Sequence, residues 1–264
     1  MNITGTTRVW AILADPIHHV KTPQALNPIM AARGVDGVMV PMHVGADELS
    51  AVVGAMRHVR NFGGFVVTVP HKTAIVALCD EVSGTVRRVG ASNCVRREAD
   101  GRLVADMLDG RGFVAGLRRE GIEPAGKSAF LAGAGGAANA IAFALAEAGV
   151  TRLAISNRTR AKADDLAARL RQAFPALPLT TEPAGVGGYD LVVNATSLGL
   201  REDDPLPVDL TGLTGAQTVA EIIMQPAETR LMAEARARGC RVHPGKPMLE
   251  CQLDLMADFL GMRA

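Results

Sequence analysis

The chain has 264 residues, 48% of them hydrophobic and only 3% aromatic, and its 28 basic and 27 acidic side chains leave a formal net charge of +1. That length holds one large globular domain or two modest ones, and so even a charge balance excludes an electrostatic partner such as nucleic acid. The four cysteines (Cys79, Cys94, Cys240, Cys251) form no C-x-x-C pair and the six histidines no H-E-x-x-H spacing, so neither a metal centre nor a disulfide framework is expected.

Met1 to Thr7 is polar and lacks the apolar core of a signal peptide. Ser128 to Ala146 carries no charge, yet it consists mostly of Ala and Gly, so a membrane span is not expected there. The expectation is a cytoplasmic protein with reduced thiols and no membrane partner, a monomer or homodimer.

Taken in order, Arg8 to Ala14 reads as an apolar strand. Thr22 followed by Pro23 reads as an N-cap and first helical turn, for a helix that runs to Arg33, stops at Gly34 and is kinked or broken by Pro28. Gly37–Val44 is a second strand, and Asp47 is placed as the cap of a helix with Leu49, Val52, Val53 and Met56 on one face. Gly64–Val69 is a third strand and Thr73–Leu78 a short helix. The segments Ala91–Val95 and Leu103–Ala105 flank an Asp100-Gly101 turn as a hairpin. A helix then opens at Asp109 and ends by Gly121.

From Ser128 the alternation becomes regular. Strand Ser128–Leu131, helix Ala137–Glu147, strand Leu153–Ser156, helix Ala161–Phe174, strand Tyr189–Ala195, strand Thr218–Ile223, helix Glu228–Arg238 and strand Arg241–His243 follow in turn. A last helix is expected from about Pro247 to Leu260, with Met248, Cys251, Leu255 and Phe259 at helical spacing.

Chemistry concentrates at strand ends. Gly133, Gly135 and Ala138 match G-x-G-x-x-G/A inside a βαβ unit, so Gly133, Ala134, Gly135, Gly136 and Ala137 are expected to cradle a dinucleotide pyrophosphate. The following strand ends in Asn157-Arg158-Thr159, with Lys162 close behind. An NAD site carries an acidic residue at this point; basic side chains suit the 2′-phosphate of NADP, with NAD kept as an alternative. Lys72 and Asp109 stand at strand ends too, a lysine able to exchange a proton with an alcohol or ketone and a carboxylate able to hold it.

These segments resemble the shikimate dehydrogenases. Asp15-Pro16-Ile17-His18-His19-Val20-Lys21-Thr22-Pro23 is similar to that family's N-P-I-x-H-S-x-S-P. Val66 to Lys72 is similar to N-V-T-V-P-x-K, Gly90 to Asn93 to G-A-x-N, and Asp106 to Gly110 to D-N-T-D-G. The glycine loop, Asn157-Arg158-Thr159, Asn194-Ala195-Thr196 and Gly245 to Gln252 match as well.

The resemblance implies an α/β fold of two domains. A substrate domain would comprise 1–108 and 246–264, and a Rossmann-type dinucleotide domain 109–245, with the active site in the cleft. It implies hydride transfer between a nicotinamide cofactor and a small cyclic hydroxy acid of the shikimate or quinate kind. Lys72 becomes the acid–base residue and Asp109 its partner. Thr68, Asn93 and Gln252 become substrate contacts, and Asn194, Ala195 and Thr196 cofactor contacts. Departures fall at the substrate end: Val20 and Thr22 replace the two serines of S-x-S, Val66 replaces Asn, Leu108 replaces Thr, and Met224 replaces the Tyr of D-M-x-Y. The expected enzyme therefore prefers something other than shikimate. A catalytically weak or silent NADP-binding regulator is the alternative, and the retention of both Lys72 and Asp109 weighs against it.

Overall fold

A computed structural model describes residues 2–263, and the chain separates into two units: residues up to Leu108 with those from Gln252 onward, and Asp109–Cys251. Each unit is built on a six-stranded sheet, so the protein is α/β throughout.

The first unit contains β1 (Arg8–Ala14), α1 (Thr22–Ala32), β2 (Gly37–His43), α2 (Leu49–Met56), β3 (Phe62–Val67), a 3-10 turn (Ala74–Leu78), β4 (Glu81–Val82), α3 (Gly84–Val89), β5 (Cys94–Arg97) and β6 (Leu103–Asp106). Its sheet order is β2-β1-β3-β5-β6-β4. β1 pairs in parallel with β2 and β3, whereas β5 runs antiparallel to both β3 and β6. Trp10 on β1, the only tryptophan, dictates its neighbours. A Cβ on Gly37 would lie 2.5 Å from its ring and one on Gly63 2.4 Å, so the flanking strands carry no side chain there. The indole Nε1 donates to Leu260 O at 3.1 Å, tying the end of the chain to the first strand.

The second unit contains α4 (Asp109–Arg119), β7 (Ser128–Ala132), α5 (Gly136–Glu147), β8 (Arg152–Ser156), α6 (Arg160–Ala173), β9 (Leu179–Thr180), β10 (Leu191–Asn194), β11 (Thr218–Glu221), α7 (Arg230–Ala237), β12 (Arg241–His243) and α8 (Lys246–Glu250). Its sheet, β12-β11-β10-β7-β8-β9, is parallel at every pairing. Renumbered within the unit, that is the 3-2-1-4-5-6 order of the dinucleotide-binding fold, whose crevice opens between β7 and β10 where the winding reverses. Strands buried on both faces read as the unbroken apolar runs seen in β7 and β10. α4 lies so close to α5 that a Cβ on Gly110 would sit 2.3 Å from Ala140 O, which explains the glycine after Asp109.

Several local expectations are corrected. Thr22 is not the N-cap of α1; Lys21 is, with no side-chain cap bond, and Thr22 and Pro23 are the first helical residues. Pro28 does not break α1, which continues to Ala32; Asn27 beside it exchanges two hydrogen bonds with the Met39 backbone. Glu48, not Asp47, precedes α2. The single last helix is two, α8 and α9 (Leu253–Phe259), interrupted at Cys251 and Gln252. The break has a packing cause: α8 lies on α4 of the second unit, α9 on α1 and β5 of the first. Residues 246–251 consequently group with the second unit, not with the substrate unit as expected. Among the described residues no helix is long and apolar enough to cross a membrane.

Candidate active site

The glycine loop follows β7. Gly133 has φ +115°, and a Cβ there would lie 2.7 Å from Ala195 O, so the backbone after β10 occupies the space a side chain would need. Gly135 is the N-cap of α5 and the opposite case: an added Cβ meets nothing within 4 Å. The loop therefore has one face closed against Ala195 and one open face under the N–H groups of the first helical turn, Gly136, Ala137 and Ala138, which have no partner within the helix. That is a cradle of the kind a pyrophosphate fills, and the buried Ala134 and Ala138 let helix and strand approach. At the end of β8, Asn157 Nδ2 donates to Thr159 O at 2.8 Å, and Thr159 stands at the N-cap position of α6 without a side-chain cap bond. Arg158 and Lys162 are exposed, whereas neighbouring Arg160 is engaged by Asp164 and Glu182.

The loop after β10 is held from behind. Asn194 Oδ1 accepts from Thr196 N (3.0 Å) and Thr196 Oγ1 (2.7 Å), while its Nδ2 donates to Leu198 O and to both oxygens of Glu221 (3.1 and 2.9 Å). Glu221, at the end of β11, is fully buried and also accepts from Ile222 N, Ile223 N and Thr229 Oγ1. Burial pushes its carboxyl pKa up, opposed by the hydrogen bonds from Asn194, Ile223, Ile222 and Thr229.

In the first unit Lys72 and Asn93 are drawn together by backbone pairing: Lys72 O accepts from Ser92 N at 2.8 Å, and Asn93 O from Val67 N at 2.9 Å. Thr68, part-buried at the end of β3, is fixed by Thr68 N to Leu13 O and His71 N to Thr68 O. Asn93 is buried and its amide is committed, Oδ1 accepting from Leu108 N (2.9 Å) and Nδ2 donating to Gln252 Oε1 (3.1 Å). Val20, Val66 and Leu108 are members of one buried apolar cluster with Trp10, Ile12, Cys94 and Met256. Asp109, 3% exposed, is the first residue of α4 and lies in the second unit, as does the half-buried Met224.

The family pattern described as "Shikimate dehydrogenase substrate binding domain" matches residues 12–95, and that described as "Shikimate / quinate 5-dehydrogenase" matches residues 118–199. A protein of Rubrobacter xylanophilus named shikimate dehydrogenase (NADP(+)) is 40% identical over 251 residues, covering 94% of this chain and 88% of the relative. The chain belongs to the shikimate dehydrogenase family. As a shikimate dehydrogenase family member it is an oxidoreductase acting on a CH–OH group. Among solved structures, the family enzyme of Thermus thermophilus in complex with NADP(H) and shikimate superimposes with a TM-score of 0.84 at 31% identity, covering 96% of this chain and 93% of that one. The 5-ketofructose reductase of a Gluconobacter strain superimposes with a TM-score of 0.83, also at 31% identity, covering 98% and 94%.

Set against the shikimate dehydrogenase motifs, the first-unit residues fall into two groups. Lys72, Asn93 and Gln252 keep the family's residue types at backbone-fixed places, whereas the three apolar departures have joined the core. Asp15, where the family has Asn, pairs with His43 Nε2 at 2.8 Å. Two buried polar residues carry no local signal in the sequence. Thr229 is remote from the motifs it supports, and His243 is buried with no hydrogen-bond partner for either ring nitrogen among the described residues. Desolvation holds His243 at a pKa of about 4. Glu221 is visible in the sequence only as a departure from D-M-x-Y.

Proposed function

We propose that this protein is an NADP-dependent dehydrogenase interconverting a ring hydroxyl and its ketone on a shikimate- or quinate-like compound, with shikimate itself a poor substrate. The observation that carries the substrate reading is the placement of Val20, Val66 and Leu108 in a buried apolar cluster, where the resembled motifs have Ser, Asn and Thr. None of the three side chains can donate a hydrogen bond to a carboxylate. The substrate named for the Gluconobacter relative, 5-ketofructose, is a polyhydroxy ketone without a carboxylate, which supports a ligand that is less polar or differently substituted at that end.

The nicotinamide cofactor, when bound, supplies or receives the hydride. Gly133 to Ala137 hold its pyrophosphate, and Arg158 and Lys162 hold the 2′-phosphate. Lys72 Nζ moves the hydroxyl proton, general acid–base help worth about 10²–10⁴ in rate, and Asp109 is the carboxylate that the family motif implies as its partner. Asn93 turns the Gln252 amide by donating to its Oε1, which fixes the face that amide presents to a substrate hydroxyl.

The test is steady-state kinetics with NADP(H) over shikimate, quinate and polyhydroxy ketones, beside the variant Val20→Ser. Shikimate kcat/KM is expected at least about tenfold below the best compound. Val20→Ser should raise it several-fold, since a hydrogen bond to a charged partner is worth about 1.5–3 kcal/mol before rearrangement. Shikimate as the best substrate, with Val20→Ser unchanged, overturns the substrate reading and leaves the dehydrogenase.

A further inference from the structure

We infer that Glu221 is a positioning residue for cofactor binding, acting through Asn194 to set the backbone of Ala195 and Thr196 against the glycine loop. The inference rests on the NADP-binding reading above. Four donors converge on this carboxylate, two from the backbone and two from side chains. Ile222 N (2.8 Å) and Ile223 N (3.1 Å) are backbone donors that cannot turn away from Oε1. Asn194 Nδ2 spans both oxygens and Thr229 Oγ1 reaches Oε2 at 3.1 Å. Thr229 is the N-cap of α7, where it accepts from Met232 N, so the hydroxyl's own proton points to Glu221.

Because Nδ2 of Asn194 is claimed by Glu221, its Oδ1 faces the other way and receives both donors of Thr196. Thr196 Oγ1 in turn accepts from Leu198 N at 3.0 Å. The turn so fixed brings Ala195 O to 2.7 Å, and Thr196 N to 3.3 Å, of where a Gly133 Cβ would stand. One acidic group at the end of β11 thereby fixes the amide orientation at the end of β10, and that orientation fixes the surface on which the phosphate loop rests. The two strands are adjacent in the sheet, with Asn194 registered against Glu221. The role needs an acceptor on both oxygens, which an amide of the same shape does not offer.

In Glu221→Gln the amide oxygen stays with the two backbone donors, and the new NH₂ takes the place of Oε2. Asn194 must then flip to accept from it, withdrawing Oδ1 from Thr196 and Nδ2 from Leu198. The expected result is a rise of tenfold or more in the Kd and KM for NADPH, with substrate KM and kcat at saturating NADPH within about threefold of the parent. Adding Asn194→Asp gives one oxygen to accept from the new NH₂ and one to keep both Thr196 donors, without the bond to Leu198 O, and should recover at least a third of the lost affinity. Thr229→Val, which removes the donor to Glu221 together with the cap on Met232 N and leaves the loop residues in place, should raise NADPH Kd about threefold, and Thr229→Ser, which keeps both bonds, should stay at the parental Kd; the pair decides the matter if Glu221→Gln does not fold.

NADPH is titrated by its own fluorescence into each protein, starting with the parent. A parent that does not bind NADPH defeats the cofactor reading and this inference together. A parent that binds, with Glu221→Gln at parental Kd or with kcat alone reduced, defeats this inference only. So does a double variant no tighter than Glu221→Gln, or Thr229→Val at parental Kd when the glutamine variant is unobtainable.

Discussion

The two units hold their functional residues by different means. In the second, the features shaped to receive a pyrophosphate are backbone features: a positive φ at Gly133, an open space at Gly135, N–H groups without a helical partner at the start of α5. In the first they are side chains in and just beyond the strands, and the motif positions Val20, Val66 and Leu108 are core residues. Backbone requirements fall on the few residues that set the backbone, the glycines and the side chains that brace them, and leave most other positions free. A side-chain site changes ligand with each substitution. One unit can therefore keep its cofactor while the other changes its substrate, and in this chain four of the five substrate-end departures, Val20, Thr22, Val66 and Leu108, lie in the first unit and one, Met224, in the second.

Lys72→Ala tests that division most severely. It should lower kcat by about 10²–10⁴ and leave NADPH Kd within twofold, read by single-turnover kinetics and fluorescence titration. A comparable loss in cofactor affinity would mean that the functions are not divided in this way. Gly133→Ala is the reverse experiment. Its φ of +115° strains any residue with a Cβ, and Ala195 O stands 2.7 Å away, so about 2 kcal/mol, or roughly thirtyfold in NADPH Kd, is expected. Substrate KM should not follow.

The second unit also carries a sensitivity to acid that a buried imidazole confers. Folding lowers the His243 pKa from an ordinary 6.5 to about 4, so the native state binds fewer protons than the unfolded chain. The sign follows: stability is full above about pH 6.5 and is lost as pH falls toward 4. By pH 5 the loss is about 2 kcal/mol. A His243→Leu variant should show a flatter fall in Tm between pH 7 and 5, and parallel curves for the two proteins would refute the assignment. The smallest effect is expected at the exposed basic pair. Arg158→Ala with Lys162→Ala should cost about 1.5 kcal/mol of NADPH binding, near tenfold, with NADH unchanged. Equal losses for both cofactors would show contacts other than the 2′-phosphate.

The same contrast governs how much of the molecule is legible in its amino-acid sequence. The glycine loop is legible because only glycine fits a backbone pressed against Ala195, and the hairpin and alternating strands because each is a local pattern. The break at Cys251 and Gln252 is not, since Met248, Leu255 and Phe259 keep a helical period straight across it. Two elements packing on different units, which no periodicity encodes, interrupt the helix there. The two-residue strands β4 and β9 are too short to carry a pattern. The tie between Glu221 and Asn194 joins residues 27 apart, a pairing that follows only from the neighbouring of β10 and β11. Motif position marks Val20, Val66 and Leu108 as pocket residues; their second role in the core emerges only when the strands are packed.

Asn93 has one more consequence. The chain leaves the first unit after Leu108 and re-enters it at Gln252, and this one amide holds both places, Leu108 N at 2.9 Å and Gln252 Oε1 at 3.1 Å. In topological terms the second unit is inserted into the chain of the first, and the two junctions are clamped side by side by that one side chain. A cassette with closely spaced ends can be exchanged at such a junction without stretching the host, which gives chimeric enzymes natural cut sites at 108/109 and 251/252.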